Sequence, residues 1–168
     1  SVQKLKKINI LLDKIEGEKR PETMKDDFEN LLQETESQIK ALANSKKAGD
    51  FKKSFEALKQ DGANALKSGN QILLSKTIEQ LKTLQNESYW ANDLNWVKAF
   101  AYWKSVFHKV FWKNSKQAKI YLDRGEEAVK NNNMDEIKNS LRGLWSLLPP
   151  QMLQKNSGGE VEISGVMR

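Results

Sequence analysis

Apolar residues recur at three- and four-residue steps along most of this chain, the spacing of helices that bury one face against a neighbour. Polar turns or prolines separate the stretches that show this spacing. Apart from a short stretch near Val161–Ile163, the alternation typical of strands is missing. We therefore predict an all-α protein, a bundle of about seven antiparallel helices. The predicted helices cover residues 2–16, 22–43, 51–68, 71–84, 93–113, 115–130 and 134–148.

One helical hairpin occurs twice in the chain, at a constant offset that aligns Gly62 with Gly125 and Asn70 with Asn133. Because small, turn and apolar positions all match, the segments 51–86 and 115–149 are predicted to pack as two similar antiparallel helical hairpins. By extension, the predicted helix 22–43 corresponds to the predicted helix 93–113. The other aligned pairs are Ala65 with Ala128, Leu66 with Val129, Lys67 with Lys130, Leu74 with Ile137, Ile78 with Leu141, Leu81 with Leu144 and Leu84 with Leu147.

Capping and breaking residues set the expected boundaries. Asp50 is the predicted N-cap of the helix at 51–68, and residues 85–93 are predicted to form a connector. Asn133 followed by Glu136 is a variant of the capping box. We predict a single helical-bundle domain over 1–150 and a flexible tail at 151–168, which has no helical period.

The predicted helix 93–113 carries five aromatic residues on one stripe, which we expect to form its core face. Tyr102 and Trp112 point away from this stripe, among Lys98 and Lys109. Aromatic residues flanked by lysine suit a partner contact, and these four residues are the candidate contact site. Alternatively, both rings lie against the connector at 85–93 or against another helix. The stripe consists of Trp96, Phe100, Trp103, Phe107 and Phe111.

The chain has a formal net charge of +6, and residues 94–122 contain six lysines and no acid. A basic stretch interleaved with aromatics can bind nucleic acid or anionic lipid, but it more often forms the solvated side of an amphipathic helix. We therefore expect a protein or peptide partner. Nucleic acid is the third alternative, not the expected one.

Residues that could act in catalysis or bind a metal ion are few, and their spacing suits neither role. His108, the single histidine, has no acid or nucleophile near it in sequence. The paired carboxylates Asp26–Asp27 and Glu126–Glu127 point apart on a helix, so they share neither a proton nor a metal ion. We predict no catalytic residue, no metal and no cofactor, and hence a protein that is not an enzyme.

Cysteine is absent from the chain, which fits a reducing compartment and a cytoplasmic location. No apolar run approaches the roughly 20 residues of a membrane-spanning helix, so no membrane association is expected. Lys4, Lys6 and Lys7 precede a short apolar stretch that Asp13 ends, which does not match a secretory signal.

The duplicated hairpin partly resembles tetratricopeptide repeats. The match consists of the aligned glycines, the alanines three residues later, the turn residues and Pro149, which follows Gly125 at the usual distance. Leu74 and Ile137 differ, because the family has a small residue there. The two copies are also much farther apart than one repeat length of about 34 residues. The resemblance implies an adaptor that binds a peptide in a groove lined by residues such as Asn64, Lys67 and Lys130.

A second resemblance lies in the C-terminal half of the chain. Four segments, Lys116–Ala118, Asp123–Ala128, Asn132–Ile137 and Leu144–Pro149, are similar to the extreme C-terminal helices of DnaK-type (seventy-kilodalton heat-shock) chaperones, in particular divergent bacterial members. The resemblance covers about a third of the chain. It implies a segment that follows the ATPase and substrate-binding domains and acts as a lid or accessory interaction domain.

Overall fold

The computed structural model describes residues 21–42 and 45–153. In these ranges the backbone forms helices and no strand, so the predicted all-α fold is confirmed. The elements are α1 (Pro21–Ala41), α2 (Ala48–Ser68), α3 (Gln71–Trp90), α4 (Asp93–Val106), a 3₁₀ turn η1 (Phe107–Lys109), α5 (Ser115–Lys130), α6 (Met134–Ser146) and α7 (Pro150–Leu153). The predicted helix 2–16 lies outside the described residues.

The chain divides into two compact units, Ser1–Ala91 and Asn92–Arg168. Each unit combines one helix with a pair of consecutive helices: α1 with α2 and α3 in the first, α4 with α5 and α6 in the second. The single bundle predicted over 1–150 stays a prediction.

In the first unit, α1 packs against both α2 and α3, and α2 packs against α3. Its core forms where the apolar faces of the three amphipathic helices meet, as their periodicity requires. Every residue of the predicted apolar face of α3 is buried, because these positions recur at three- and four-residue steps. The buried core consists of Met24, Phe28, Ile39, Phe55, Ala65, Leu74, Ile78, Leu81 and Leu84.

In the second unit, α6 packs against both α4 and α5. The α4 side of the core is aromatic, whereas the α5 and α6 sides are small or aliphatic. Large rings therefore face small side chains, which lets the helices approach closely. The buried apolar residues are Trp96, Ala99, Phe100, Trp103, Trp112, Ala118, Leu122, Ala128, Ile137, Leu141, Leu144 and Leu148.

The aligned glycines occupy equivalent places in the two units. In the first unit the ring of Phe28 on α1 fills the space that a Cβ atom on Gly62 would take, and in the second unit Phe100 on α4 does the same at Gly125. Each glycine thus lets an aromatic ring rest on the helix backbone. This shared contact supports the predicted correspondence of α1 with α4.

The turns inside the two helix pairs are also alike. Gly69 and Asn132 both adopt the left-handed conformation, with φ of 65° and 53°. Asn70 and Asn133 then donate their backbone N–H groups to Ala65 and Ala128 at 3.0 and 2.9 Å, the longer hydrogen bond of a Schellman motif. Both asparagines also cap the next helix, because their side chains accept from Leu73 N and Glu136 N.

We expect Gly69→Ala to lower the free energy of unfolding by roughly 1–2 kcal/mol, since an L-residue with a Cβ is strained at this φ. Asn132→Gly, at the aligned position, should instead be neutral or stabilising, because glycine adopts positive φ without steric cost. Urea denaturation of the two variants measures both effects. Equal destabilisation by both substitutions would contradict the assignment of the two turns as equivalent.

The predicted boundaries near α2, α3 and α7 differ from the observed ones. The helix α2 begins at Ala48 and places Asp50 in its first turn, while Lys47 at the N-cap makes no side-chain cap hydrogen bond. The connector predicted at 85–93 is mostly helical, because α3 continues to Trp90, where no glycine or proline interrupts it. In the predicted tail, residues 151–153 belong to α7, which Pro150 starts because proline suits the first helical position. The tail from residue 154 lies outside the described residues.

Candidate functional site

The segment after α4 departs from the predicted helix, which was expected to reach Lys113. The helix α4 ends at Val106, and Val110 is extended with φ of −97° and ψ of 132°. The carbonyl of Phe107, which would accept from residue 111 in a continuing helix, instead accepts from Trp112 Nε1 at 2.9 Å. Lys113 N donates to Leu147 O at 2.9 Å. The helical hydrogen bonds of this segment are therefore replaced by a bond from the Trp112 side chain and a bond to Leu147, the residue that follows α6.

This change exchanges the expected roles of Phe111 and Trp112. Trp112 is buried, with its ring 5.2 Å from Phe107 and 6.1 Å from Trp103 between centroids. Phe111 is 90% exposed. The predicted aromatic stripe is right for Trp96, Phe100 and Trp103, which are buried, and wrong for Phe111.

The four predicted contact residues occupy different surroundings. Tyr102 and Lys98 are exposed on one face of α4, where a four-residue spacing brings them together. Lys109 is exposed on η1. Trp112 is only 9% exposed and packs against Trp103 and Phe107, so it does not lie on the polar face of the predicted helix. A partner contact at Tyr102, Lys98 and Lys109 stays a prediction.

Acidic side chains on α5 form ion pairs with two of the six lysines in residues 94–122. Lys104 lies 3.5 Å from Glu126, and Lys119 lies 2.7 Å from Asp123. The hydrogen bond and charge of Asp123 raise the pKa of Lys119. Among the described residues, no carboxylate lies within ion-pair distance of the other four lysines of the stretch: Lys98, Lys109, Lys113 and Lys116.

Two cations on α6 hold the start of α4, a feature that sequence reasoning missed. The Arg142 guanidinium lies 4.9 Å from the centre of the Trp96 ring. The Lys138 ammonium lies 5.7 Å from the same centre and pairs with Asp93 at 2.8 Å. Both cations are close enough for a cation–π interaction. The one available signal is the four-residue spacing of Lys138 and Arg142, which places both on one helix face but does not say which ring that face meets.

The first unit has an open groove of about 330 Å³ between α2 and α3. The groove residues predicted from the tetratricopeptide resemblance do not line it. Asn64 and Lys67 are exposed on α2, and Asn64 accepts a hydrogen bond from Gln60. The residues that do line it are Ser54, Ala57, Leu58, Gln80, Thr83, Leu84 and Glu87.

Within residues 21–42 and 45–153, no cluster of three histidine, aspartate or glutamate side chains is arranged to hold a metal ion. His108 is exposed on η1. None of the helices in these ranges combines the length and apolar character needed to cross a membrane.

Replacement by phenylalanine should have different effects at two of the buried tryptophans, Trp103 and Trp112. Trp112→Phe removes the hydrogen bond to Phe107 O and should cost about 1–2 kcal/mol of unfolding free energy. Trp103→Phe removes an N–H that has no hydrogen-bond partner in the described part of the chain, which offsets the volume it loses. We expect a cost below about 1 kcal/mol for that variant. Urea denaturation measures both, and a larger loss for Trp103→Phe would refute this assignment.

Comparison with known proteins gives no relative: no family model matches the chain, and no match is found among curated proteins or among solved structures.

Proposed function

We propose that this chain is a non-catalytic protein-interaction domain, the C-terminal lid or accessory domain of a DnaK-like chaperone. One observation carries the proposal: the segments that resemble these chaperones fall in α5, α6 and the turns that flank them. Their small and apolar positions are core residues, including Ala118, Ala128, Ile137 and Leu144. The resemblance therefore describes one folded element and its packing, not scattered surface matches.

Such a domain would act through binding and helix packing, without chemistry of its own. The buried aromatic face of α4 and the cations over Trp96 would stabilise one packing arrangement of the second unit. A partner that binds one arrangement of the domain better than another shifts the population toward that arrangement. The upstream ATPase would supply the energy that alternates the two states.

The complete reading frame of the gene is the first test. We expect ATPase and substrate-binding domains upstream of this chain, and a frame without them would end the chaperone proposal. In the full-length protein, deletion of residues 92–168 should leave basal ATP hydrolysis unchanged and alter the dissociation rate of a bound, fluorescently labelled unfolded protein. An unchanged dissociation rate would argue against a lid or accessory role.

A second candidate function is a tetratricopeptide-like adaptor that binds a peptide. One observation favours it, the equivalent aromatic–glycine contacts at Gly62 and Gly125. The peptide would bind in the open groove between α2 and α3, not at Asn64 and Lys67. A peptide selected from a random library should lose affinity with Ala57→Arg, which blocks the groove. Ala63→Arg, on an exposed part of α2 outside the groove lining, is the matched control. Equal binding by both variants would exclude the groove.

A further inference from the structure

We propose that Lys109, Phe111, Lys113 and Lys116, together the Phe111 knob, bind an acidic protein segment that carries an apolar side chain. This inference rests on the proposed function as a protein-interaction domain and names the chemistry of its partner. It also moves the expected contact away from Trp112, which lies in the core.

The fold holds Phe111 outward. Trp112 is fixed on the inner side by its hydrogen bond to Phe107 O and its ring contacts with Trp103 and Phe107. The next residue, Lys113, donates its backbone N–H to Leu147 O. Residues 111 and 112 lie outside any helix, between the extended residues Val110 and Asn114, and in this segment Trp112 is buried while Phe111 is exposed.

A single exposed apolar side chain is common on protein surfaces and by itself needs no function. Phe111 differs because Val110 before it donates its backbone N–H to Phe107 O at 3.4 Å, and Trp112 after it is held by its side chain. Little backbone freedom is therefore lost when a partner covers the ring. At 90% exposure, nearly the whole ring is available for burial. Buried aromatic anchors of this kind contribute a large share of the binding energy of protein interfaces.

The lysines near Phe111 in sequence form no ion pair among the described residues, whereas two other lysines of the same stretch do. Lys109, Lys113 and Lys116 are exposed and have no carboxylate within ion-pair distance among the described residues, whereas Lys104 and Lys119 are paired with acids of α5. The first turn of α5 also contains no acid. Three exposed cations within five residues of one exposed apolar ring are complementary to a segment with several acids and one apolar residue.

The same observations favour protein over nucleic acid or lipid. Nucleic-acid platforms stack successive bases on several aromatic rings, but the neighbouring Trp112 is buried and Phe107 is half-buried. Binding at a membrane surface uses a broad apolar helix face, and Phe111 offers a single ring. One ring with three charges fits one apolar side chain in an acidic chain.

Fluorescence anisotropy with a labelled peptide of Asp, Glu and Leu tests the proposal on the full chain. We expect binding that weakens about tenfold with Phe111→Ser, equivalent to about 1.4 kcal/mol. Peptides with Leu replaced by Ser, or with the acids replaced by Asn and Gln, should bind more weakly than the parent peptide. Binding should also fall as salt is raised, because the lysines are exposed.

Three matched variants separate the knob from general effects. Ile120→Ser removes another exposed apolar side chain, on α5, and should retain binding. Lys76→Glu changes an exposed lysine on α3, outside the knob, and should retain it too. Lys116→Glu should weaken binding while the midpoint of thermal unfolding stays equal or rises. A negative side chain in the first turn of α5 interacts favourably with the helix dipole and so stabilises the helix.

Unchanged binding by Phe111→Ser, or no binding of the acidic peptide by the native chain, would overturn the proposal. So would tighter Phe111-dependent binding of a single-stranded oligonucleotide, or of vesicles of phosphatidylcholine and phosphatidylserine. The chaperone proposal is tested separately, by the reading frame. If the frame contains no ATPase but peptide binding depends on Phe111, the chaperone role is excluded and the proposed Phe111 knob is retained.

Discussion

Gly125→Val is expected to lower the free energy of unfolding by about 3 kcal/mol. The ring of Phe100 already fills the space next to the Gly125 backbone, and that ring is only 2% exposed. Since the surrounding core holds the ring in place, added carbons force a shift of α4 or a strained rotamer. Valine is a somewhat better helix former than glycine, but by well under about 1 kcal/mol, so overpacking decides the sign.

A double-mutant cycle identifies the contact. Gly125→Ala alone should destabilise, and Phe100→Leu should recover part of that loss, because a shorter side chain leaves room for the new methyl group. Gly49→Ala is the matched control, since open space surrounds a Cβ at that position. Full additivity of the two changes would show that Phe100 does not rest on Gly125. The aligned pair Gly62 and Phe28 should behave in the same way.

Leu144→Ala and the aligned Leu81→Ala should each cost roughly 2–5 kcal/mol. Both leucines are fully buried and lie on the inner faces of α6 and α3. Alanine at either position therefore leaves a cavity that rigid neighbours cannot fill. Urea denaturation, with the slope of the transition as a check on two-state behaviour, measures the loss.

The matched control for these cavities is Leu94→Ala, a leucine on α4 that is 54% exposed. It should change the free energy of unfolding by less than about 0.5 kcal/mol. A loss below about 1 kcal/mol for Leu144→Ala would mean that the aligned hairpin positions do not form a packed core.

Much of the helical fold follows from local sequence. The apolar faces predicted for α3, α5 and α6 are buried, and Asn70, Asn92, Asn114 and Asn133 cap helices by side-chain hydrogen bonds. These features depend on residues within one or two turns of each other, so spacing alone is informative.

The candidate surface was predicted less well. Periodicity treats residues 93–113 as one helix, and from that assumption Trp112 faces solvent while Phe111 faces the core. The positions are reversed because the Trp112 side chain donates a hydrogen bond to Phe107 O, and Lys113 N donates to Leu147 O just after α6. Leu147 lies far along the chain from Lys113, so no local pattern contains this contact.

The sequence by itself therefore determined the all-helical fold, most of the buried helix faces, the positions of the turns at 69–70 and 132–133, and the duplication that relates them. Each of these depends on the conformation or capping of a few neighbouring residues. The tertiary structure decided which ring covers each glycine, which acids pair with the lysines, and that Phe111 rather than Trp112 is exposed. Those outcomes depend on contacts between residues distant in the chain, where packing and hydrogen bonding outweigh local helix propensity.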